Sequence, residues 1–202
     1  LGLQPGSSIR VEDAILGLVT KSANDAAVVL AEGIGGSESS FARAMTTKAH
    51  ELGMTNTRFL NASGLFNSSQ VSTARDMATL AVALMRDFPS EYRYFSTPRF
   101  TWAGRTFENH NRLMRTYRGM DGLKTGYVRQ SGFNLVASAV RDNHRLIGVV
   151  FGGTTATRRN VQMASLLDQS FTLRSTPAIA AQIEKTRAQK QFASALKAPA
   201  RY

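Results

Sequence analysis

The first half of the chain shows apolar residues at helical spacing. In residues 11–19, Ile15, Leu18 and Val19 fall on one face of a helix. Similar patterns, bounded by capping residues or by glycine, predict further helices over residues 26–32, 37–52 and 77–86.

The middle of the chain changes to strand-like patterns. Residues 99–108 form two alternating runs about Ala103-Gly104, which predicts a hairpin. Apolar runs over residues 135–137 and 146–151 predict adjacent buried strands, with a turn at Asp142-Asn143. Helices followed by strands predict an α/β chain of the α+β type, in which helices pack against a mostly antiparallel sheet.

Three further segments complete the predicted organisation. Residues 54–72 are rich in Asn, Ser and Thr and predict a long loop, a kind of segment that is often functional. Residues 157–171 return to helical spacing. Beyond them the chain is rich in Ala, Gln, Lys and Arg, which predicts a helix with few large apolar residues or a mobile linker. We therefore expect a folded domain over residues 1–173 and a basic, Ala-rich tail or linker over residues 174–202.

Composition narrows the class of protein. A chain of 202 residues, 43% of them hydrophobic, can bury a core. It has no apolar run long enough for a membrane helix, and its opening residues are not a signal peptide. Because the first residue is Leu1, we expect the chain to begin inside a longer protein. It has no cysteine, and its three histidines have no carboxylate at ligand spacing, so we expect no metal site and no cofactor.

The net charge of +11 favours anionic partners such as nucleic acid, anionic lipid or acidic wall polymer. The interleaved aromatic and glycine patterns of RNA-binding modules are absent, and much of the excess charge lies from Arg174 onward. We therefore expect no nucleic-acid partner. The alternative to a binding role is simply a basic surface.

The run Lys124-Thr125-Gly126 carries the clearest candidate chemistry. It precedes the two buried strands, so we expect it at or beside a sheet edge, where an extended peptide can add as one more strand. Lys124 and Thr125 would bind an anionic group at the end of that peptide, and Gly126 would let the ligand backbone come close. The alternative is an ordinary strand start with a solvated lysine, and a tripeptide alone does not exclude it.

A second motif, Ser22-Ala23-Asn24, lies between the first two predicted helices. By itself it predicts only a helix cap from Ser22 or Asn24. A Ser-x-Asn followed by a Lys-Thr-Gly, however, is the second and third signature of the penicillin-recognising serine enzymes. The sequence around both motifs resembles the low-molecular-weight D-alanyl-D-alanine carboxypeptidases of serine peptidase family S11. The segments that carry the resemblance are residues 18–26, 72–78, 122–126 and 131–139, Gly152-Gly153, Arg159 and Leu166-Leu167.

The resemblance implies a β-lactamase-like and transpeptidase-like fold, with a helical lobe against a five-stranded antiparallel sheet. It also implies an enzyme that removes the terminal D-Ala from the pentapeptide stems of peptidoglycan through an acyl-enzyme. The implied partners are the peptidoglycan stem peptide and β-lactam antibiotics, which acylate such enzymes. The implied location is periplasmic or otherwise extracytoplasmic, and the basic tail suggests peripheral association with the cell wall or membrane.

The resemblance also implies roles for single residues. Ser22 matches the hydroxyl that passes a proton towards the leaving amine, and Lys124 matches the cation beside it. Asn24 matches an amide that contacts the substrate. Thr125, next to Gly126, and Arg159 match groups that bind the terminal carboxylate. The alternatives are that Ser22 and Asn24 only cap helices and that Arg159 is a solvated residue of a first helical turn.

The family's first motif, a Ser-x-x-Lys that supplies the nucleophile and its base, is missing before Ser22. The one match, Ser194-Ala195-Leu196-Lys197, comes after the third motif, and we interpret it as a chance occurrence. We therefore expect the chain to lack the N-terminal part of its protein, and we attribute activity to the whole protein. A second departure is Ser63-Gly64-Leu65, where the family often has His-Gly-Leu.

Two rival functions remain open. A class A β-lactamase usually needs a Glu in the loop before the third motif, and residues 54–72 contain no acidic residue. A non-catalytic peptidoglycan-binding module would fit the missing nucleophile and the basic charge.

Overall fold

The computed structural model describes the chain from Leu1 to Lys197, and the side chains of that range except at Ala178 and residues 190–197. The helices are α1 Val11–Lys21, α2 Asn24–Gly35, α3 Glu38–Glu51, α4 Ala74–Asp87, α5 Pro89–Tyr92, α6 Leu113–Thr116, α7 Ala156–Ser175 and α8 Pro177–Lys197, with a 3-10 turn at Arg93–Ser96. The strands are β1 Arg99–Trp102, β2 Arg105–Glu108, β3 Met120–Val128, β4 Gly132–Arg141 and β5 His144–Gly153.

Polar side chains fix the starts of two predicted helices. The Ser37 side chain accepts a hydrogen bond from the backbone N–H of Ser40 at the start of α3. The Thr73 side chain accepts one from Asp76 at the start of α4. Each satisfies a backbone donor that the helix itself leaves without a partner. Helix α3 therefore begins as predicted, whereas α4 begins at Ala74, three residues before the predicted start at residue 77.

The main sheet is antiparallel, in the order β3-β4-β5. Asp142 and Asn143 turn the chain between β4 and β5 with positive φ angles, as that predicted turn requires. The implied five-stranded sheet is wrong for the described residues. The predicted hairpin, β1 and β2, forms a separate two-stranded sheet, and no other described strand pairs with the outer edges of β3 or β5. The Lys-Thr-Gly strand is therefore an edge strand of the described sheet.

The core lies on both faces of this sheet. On one face, Leu135, Ala137 and Ala139 of β4 pack with Met163 and Leu167 of α7. On the other face, buried residues of β3 and β4 pack with Ala81 of α4. Burial of apolar surface on both sides makes the sheet a rigid platform between two helices.

The predicted long loop, residues 54–72, is irregular but firmly attached to α4. Asp76 of α4 is buried, and its carboxylate accepts hydrogen bonds from the Thr57 hydroxyl at 2.7 Å and from the backbone N–H of Asn56 at 2.9 Å. A backbone bridge between Arg58 and Val71 closes the loop on itself.

The C-terminal segment adopts the helical alternative. Helix α7 continues to Ser175 and α8 follows, so the expected boundary after residue 173 falls in the last turn of α7. Residues 198–202 of the predicted tail, and the side chains of Ser194 and Lys197, lie outside the described part. Within residues 1–197, no helix is both long enough and apolar enough to cross a membrane.

A substitution at Gly119 is expected to destabilise the fold strongly. Gly119 precedes β3 with φ +81°, and a Cβ atom there would overlap the carbonyl oxygen of Val140. Left-handed strain and the clash together should lower the free energy of unfolding by about 3 kcal/mol or more in Gly119→Ala. Urea unfolding measures this. The matched control is Gly33→Ala in α2, where the added methyl meets open space and should stabilise the helix by about 0.5–1 kcal/mol. Equal stability of the two variants would contradict the expectation.

Candidate active site

Ser22 is held in an unusual backbone conformation at the end of α1. Its φ and ψ angles are 58° and 47°, in the left-handed region that non-glycine residues rarely occupy. The backbone N–H groups of Ser22 and Ala23 donate to the carbonyls of Leu18 and Gly17, which closes the helix. Such strain is characteristic of functional positions, and here it turns the hydroxyl away from the helix towards β3.

Neither predicted helix-cap role is observed. Helix α2 begins at Asn24, and its N-cap residue is Ala23, which makes no side-chain cap. Ser22 instead terminates α1 as its C-cap residue, in a left-handed conformation, and Ala23 alone separates it from α2. The side chains of Ser22 and Asn24 are both on the wall of a cleft.

Lys124 reaches Ser22 across the gap between the helices and the sheet. Its Nζ donates to the Ser22 Oγ at 2.8 Å and to the Thr125 carbonyl at 2.7 Å. The two residues lie 102 positions apart in the sequence. Burial lowers the pKa of the Lys124 ammonium to about 8. An amine with a pKa close to neutral can both hold and release a proton at physiological pH.

The lowered pKa of Lys124 has a measurable effect on stability. Between about pH 8 and its ordinary value of 10.5, the unfolded state binds a proton at Lys124 that the folded state does not. The contribution of Lys124 to the free energy of unfolding should therefore rise with pH across this window, by about 3 kcal/mol in total.

Urea unfolding of the natural protein and of Lys124→Met at several pH values measures the effect, because other titrating groups cancel in the difference. The difference should change by a large part of that amount between about pH 7 and about pH 10. A difference that is constant with pH would contradict the lowered pKa.

The motif residues line one cleft of about 600 Å³. Ser22 and Asn24 contribute from the helical side, and Thr125 and Gly126 contribute from the exposed edge of β3. In the register of the sheet, Thr125 lies opposite Leu135 and Gly126 opposite Asn134, and no described strand pairs with the other edge of β3. The cleft therefore combines backbone groups of β3 with the hydroxyls of Ser22 and Thr125, and the Lys124 ammonium is bound to the first of these hydroxyls.

Arg159 lines the cleft and is buried. The alternative prediction, that it is a solvated residue of a first helical turn, is wrong. It is only 4% exposed, in the first turn of α7, because it sits under β4. Its Nη1 donates to the Asn134 carbonyl at 3.1 Å, and its Nε and Nη2 both donate to the Asn160 Oδ1. Among the described residues no carboxylate pairs with Arg159. The cleft also has one acidic residue, Glu108, but it pairs with Arg99 and Arg115. A buried guanidinium that lines a cleft and pairs with no carboxylate is suited to an anionic ligand.

Sequence reasoning missed other polar residues that line the same cleft. Among them are Lys21, Asn109, His110 and Arg112. Burial, followed by the charge of Lys124, lowers the pKa of His110 below its ordinary value. From the sequence, the three histidines, His110 among them, were assessed only as metal ligands. The signal that could have indicated a role in the cleft was the polar run Asn109-His110-Asn111, shortly before the strand that carries Lys124.

The long loop lies away from this cleft. Ser63, Gly64 and Leu65 line a separate cavity of about 520 Å³, against Val128 and Ser131 at the turn between β3 and β4. Within the described residues, His, Asp and Glu side chains form no group of three that could hold a metal ion.

A helical lobe on an antiparallel sheet, with a Ser-x-Asn turn in contact with a Lys-Thr-Gly edge strand, defines a penicillin-binding, transpeptidase-like protein. The model of one family, described as D-alanyl-D-alanine carboxypeptidase (Peptidase_S11), matches residues 1–155. The chain belongs to this family.

Curated relatives agree. The D-alanyl-D-alanine carboxypeptidase DacF of Bacillus subtilis is 40% identical over a match of 177 residues, which covers 84% of this chain and 44% of DacF. DacC of Escherichia coli is 41% identical over 170 residues, again 84% of this chain and 42% of DacC. This chain thus spans less than half the length of these relatives.

Solved structures show the same fold. Penicillin binding protein 5 from Haemophilus influenzae superposes with a TM-score of 0.81 at 38% identity, over 84% of this chain and 50% of that one. The ampicillin-bound form of Penicillin-Binding Protein D2 from Listeria monocytogenes gives 0.70 at 34% identity, over 77% of this chain and 65% of that one.

Proposed function

We propose that this chain supplies two of the three motifs of a serine-type D-Ala-D-Ala carboxypeptidase. The observation that carries the proposal is the 2.8 Å hydrogen bond from Lys124 to Ser22, which joins the second and third motifs in one cleft. The nucleophilic serine and its lysine would come from a Ser-x-x-Lys outside these 202 residues.

The proposed acylation follows from the positions of the side chains. The nucleophilic serine attacks the carbonyl between the two D-Ala residues and gives its proton to the lysine of the Ser-x-x-Lys, and the C–N bond then breaks as a proton passes to the leaving amine. Ser22 is placed to deliver that proton, and Lys124, with its pKa of about 8, is placed to resupply it. Water later releases the acyl group and restores the serine hydroxyl.

The proposed selection of a free C-terminus rests on Arg159 and Thr125. The guanidinium, which pairs with no carboxylate among the described residues, and the hydroxyl both line the cleft, so both are placed to donate to a terminal carboxylate. The open edge of β3 would hold the ligand as an extra strand, with Gly126 allowing close approach and Asn24 contacting the peptide from the helical side.

The proposed partners are peptidoglycan stem peptides and, as covalent inhibitors, β-lactams. Ampicillin and cefotaxime are bound in the structures of the Listeria relative. We propose an extracytoplasmic location, since the stem peptide is a wall component, and peripheral attachment through the basic residues from Arg174 onward.

Release of D-alanine tests the function. A longer polypeptide, which joins this chain to the proposed Ser-x-x-Lys segment, should release D-alanine from an N-acylated peptide ending in D-Ala-D-Ala and not from the matched peptide ending in D-Ala-L-Ala. Absence of release and of penicillin labelling, combined with sedimentation on peptidoglycan that Ser22→Ala and Lys124→Ala leave unchanged, would favour the non-catalytic binding module. Rapid turnover of penicillin would favour a β-lactamase instead.

A further inference from the structure

Two asparagines lie between the two halves of the site. Asn109 and Asn111 follow β2, and they are 6% and 1% exposed. Burial of a polar amide lowers stability unless its hydrogen bonds are satisfied, so two such residues in one short segment need a structural reason. Their hydrogen bonds supply one, because they lead in opposite directions.

Asn109 holds the end of α1. Its Nδ2 donates to the carbonyl of Val19 at 3.4 Å and to that of Thr97 at 3.0 Å. Val19 lies three residues before Ser22, in the last turn of the helix that ends there. Asn109 is thus attached to the element that carries the hydroxyl.

Asn111 holds β3. Its Nδ2 donates to the carbonyl of Gly122 at 3.1 Å, two residues before Lys124. A carbonyl can only accept, so this contact fixes which end of the Asn111 amide faces the strand. The remaining atom, Oδ1, is buried and has no hydrogen-bond partner among the described residues. The residue therefore keeps its donor contact to β3 at the cost of an unsatisfied acceptor.

The two residues also bind each other. The backbone N–H of Asn111 donates to the Asn109 Oδ1 at 2.8 Å. An unbroken series of hydrogen bonds therefore runs from Val19 through Asn109 and Asn111 to Gly122. Its two ends lie within three residues of the hydroxyl and of the ammonium, respectively.

We propose that Asn109 and Asn111 are positioning residues that set the distance between the Ser22 hydroxyl and the Lys124 ammonium by linking α1 to β3. The inference deepens the function proposed above and rests on it for its catalytic meaning. A displacement of 1 Å in such a pair can cost about a hundredfold in rate, so a rigid link has a clear use.

The test uses the 202-residue chain and does not depend on its activity. Trace acetylation of Lys124 with acetic anhydride, followed by mass spectrometry across a pH series, gives the titration midpoint of its amine. Asn109→Leu and Asn111→Leu each cut the link with a nearly isosteric, uncharged side chain. In each, α1 and β3 should separate, water should reach Lys124, and its reactive fraction near pH 8 should fall roughly tenfold.

Thr57→Val is the matched control, because it removes buried hydrogen bonds at a site remote from the link. It should lower the stability but leave the Lys124 midpoint unchanged. Unchanged midpoints in folded Asn109→Leu or Asn111→Leu, or an equal shift in Thr57→Val, would overturn the proposal.

A measurement on the natural protein covers the case in which neither variant folds. The side-chain Nδ2 protons of Asn111 should exchange with deuterium as slowly as backbone amide protons between β3 and β4. Fast exchange would also overturn the link. The two proposals are tested separately. D-alanine release by the longer polypeptide tests the enzyme activity, and the acetylation of Lys124 tests the link between α1 and β3.

Discussion

Lys124→Ala is expected to lower the rate at which labelled penicillin acylates the longer polypeptide by about 10²–10⁴-fold, the range that a positioned proton-transfer group contributes. The reason is geometric, since the only ammonium in contact with the Ser22 hydroxyl among the described residues is removed. Acylation is followed as the time course of labelling on a gel.

The control for this result is Lys48→Ala. Lys48 is an exposed lysine of α3 that pairs with Glu51 and is not one of the cleft-lining residues, so acylation should proceed at the normal rate. If both variants are acylated as fast as the natural protein, Lys124 has no part in proton transfer.

Arg159→Met is expected to abolish the preference of the chain for a free carboxylate. Hydrogen bonds to a charged group contribute about 1.5–3 kcal/mol, so the natural chain should bind an N-acyl-D-Ala-D-Ala peptide roughly 10–100 times more tightly than its C-terminal amide. Methionine fills the buried space without charge, and the two peptides should then bind with similar affinity. Calorimetric titration of both peptides measures the ratio.

The neighbouring arginine provides the control. Arg158 is exposed, and among the described residues its side chain donates only to Thr154, so Arg158→Met changes the net charge equally at a residue that does not line the cleft. The preference should survive in it. A preference that persists in Arg159→Met, or that disappears in both variants, would show that the carboxylate is bound elsewhere or only by the overall positive charge.

Much of the fold could be predicted because it depends on local patterns. The helices and the antiparallel strands follow the periodicity of apolar residues, and Ser37 and Thr73 mark helix starts by a short-range hydrogen bond. The proximity of Ser22 and Lys124 followed from the resemblance of the two motifs to a family. Neither periodicity nor composition predicted it, since the contact spans 102 residues.

The rest depends on long-range packing. Nothing near Arg159 in the sequence indicates that its side chain is buried. It packs against β4, where its Nη1 donates to the carbonyl of Asn134, 25 residues away in the sequence. The end of α1 at Ser22 could not be predicted from the sequence either, because the left-handed residue that ends a helix is usually glycine. The Asn109–Asn111 link escaped notice for the same reason, as its partners lie in α1 and β3.

The open edge of β3 has a cost as well as a use. A strand margin that can accept a peptide can equally accept the same strand of a neighbouring molecule, which is how sheets begin to aggregate. The net charge of +11 opposes such encounters by mutual repulsion, and salt weakens that protection because the screening length falls to about 10 Å at 0.1 M ionic strength. Occupancy of the edge by a ligand would therefore also protect the protein against self-association.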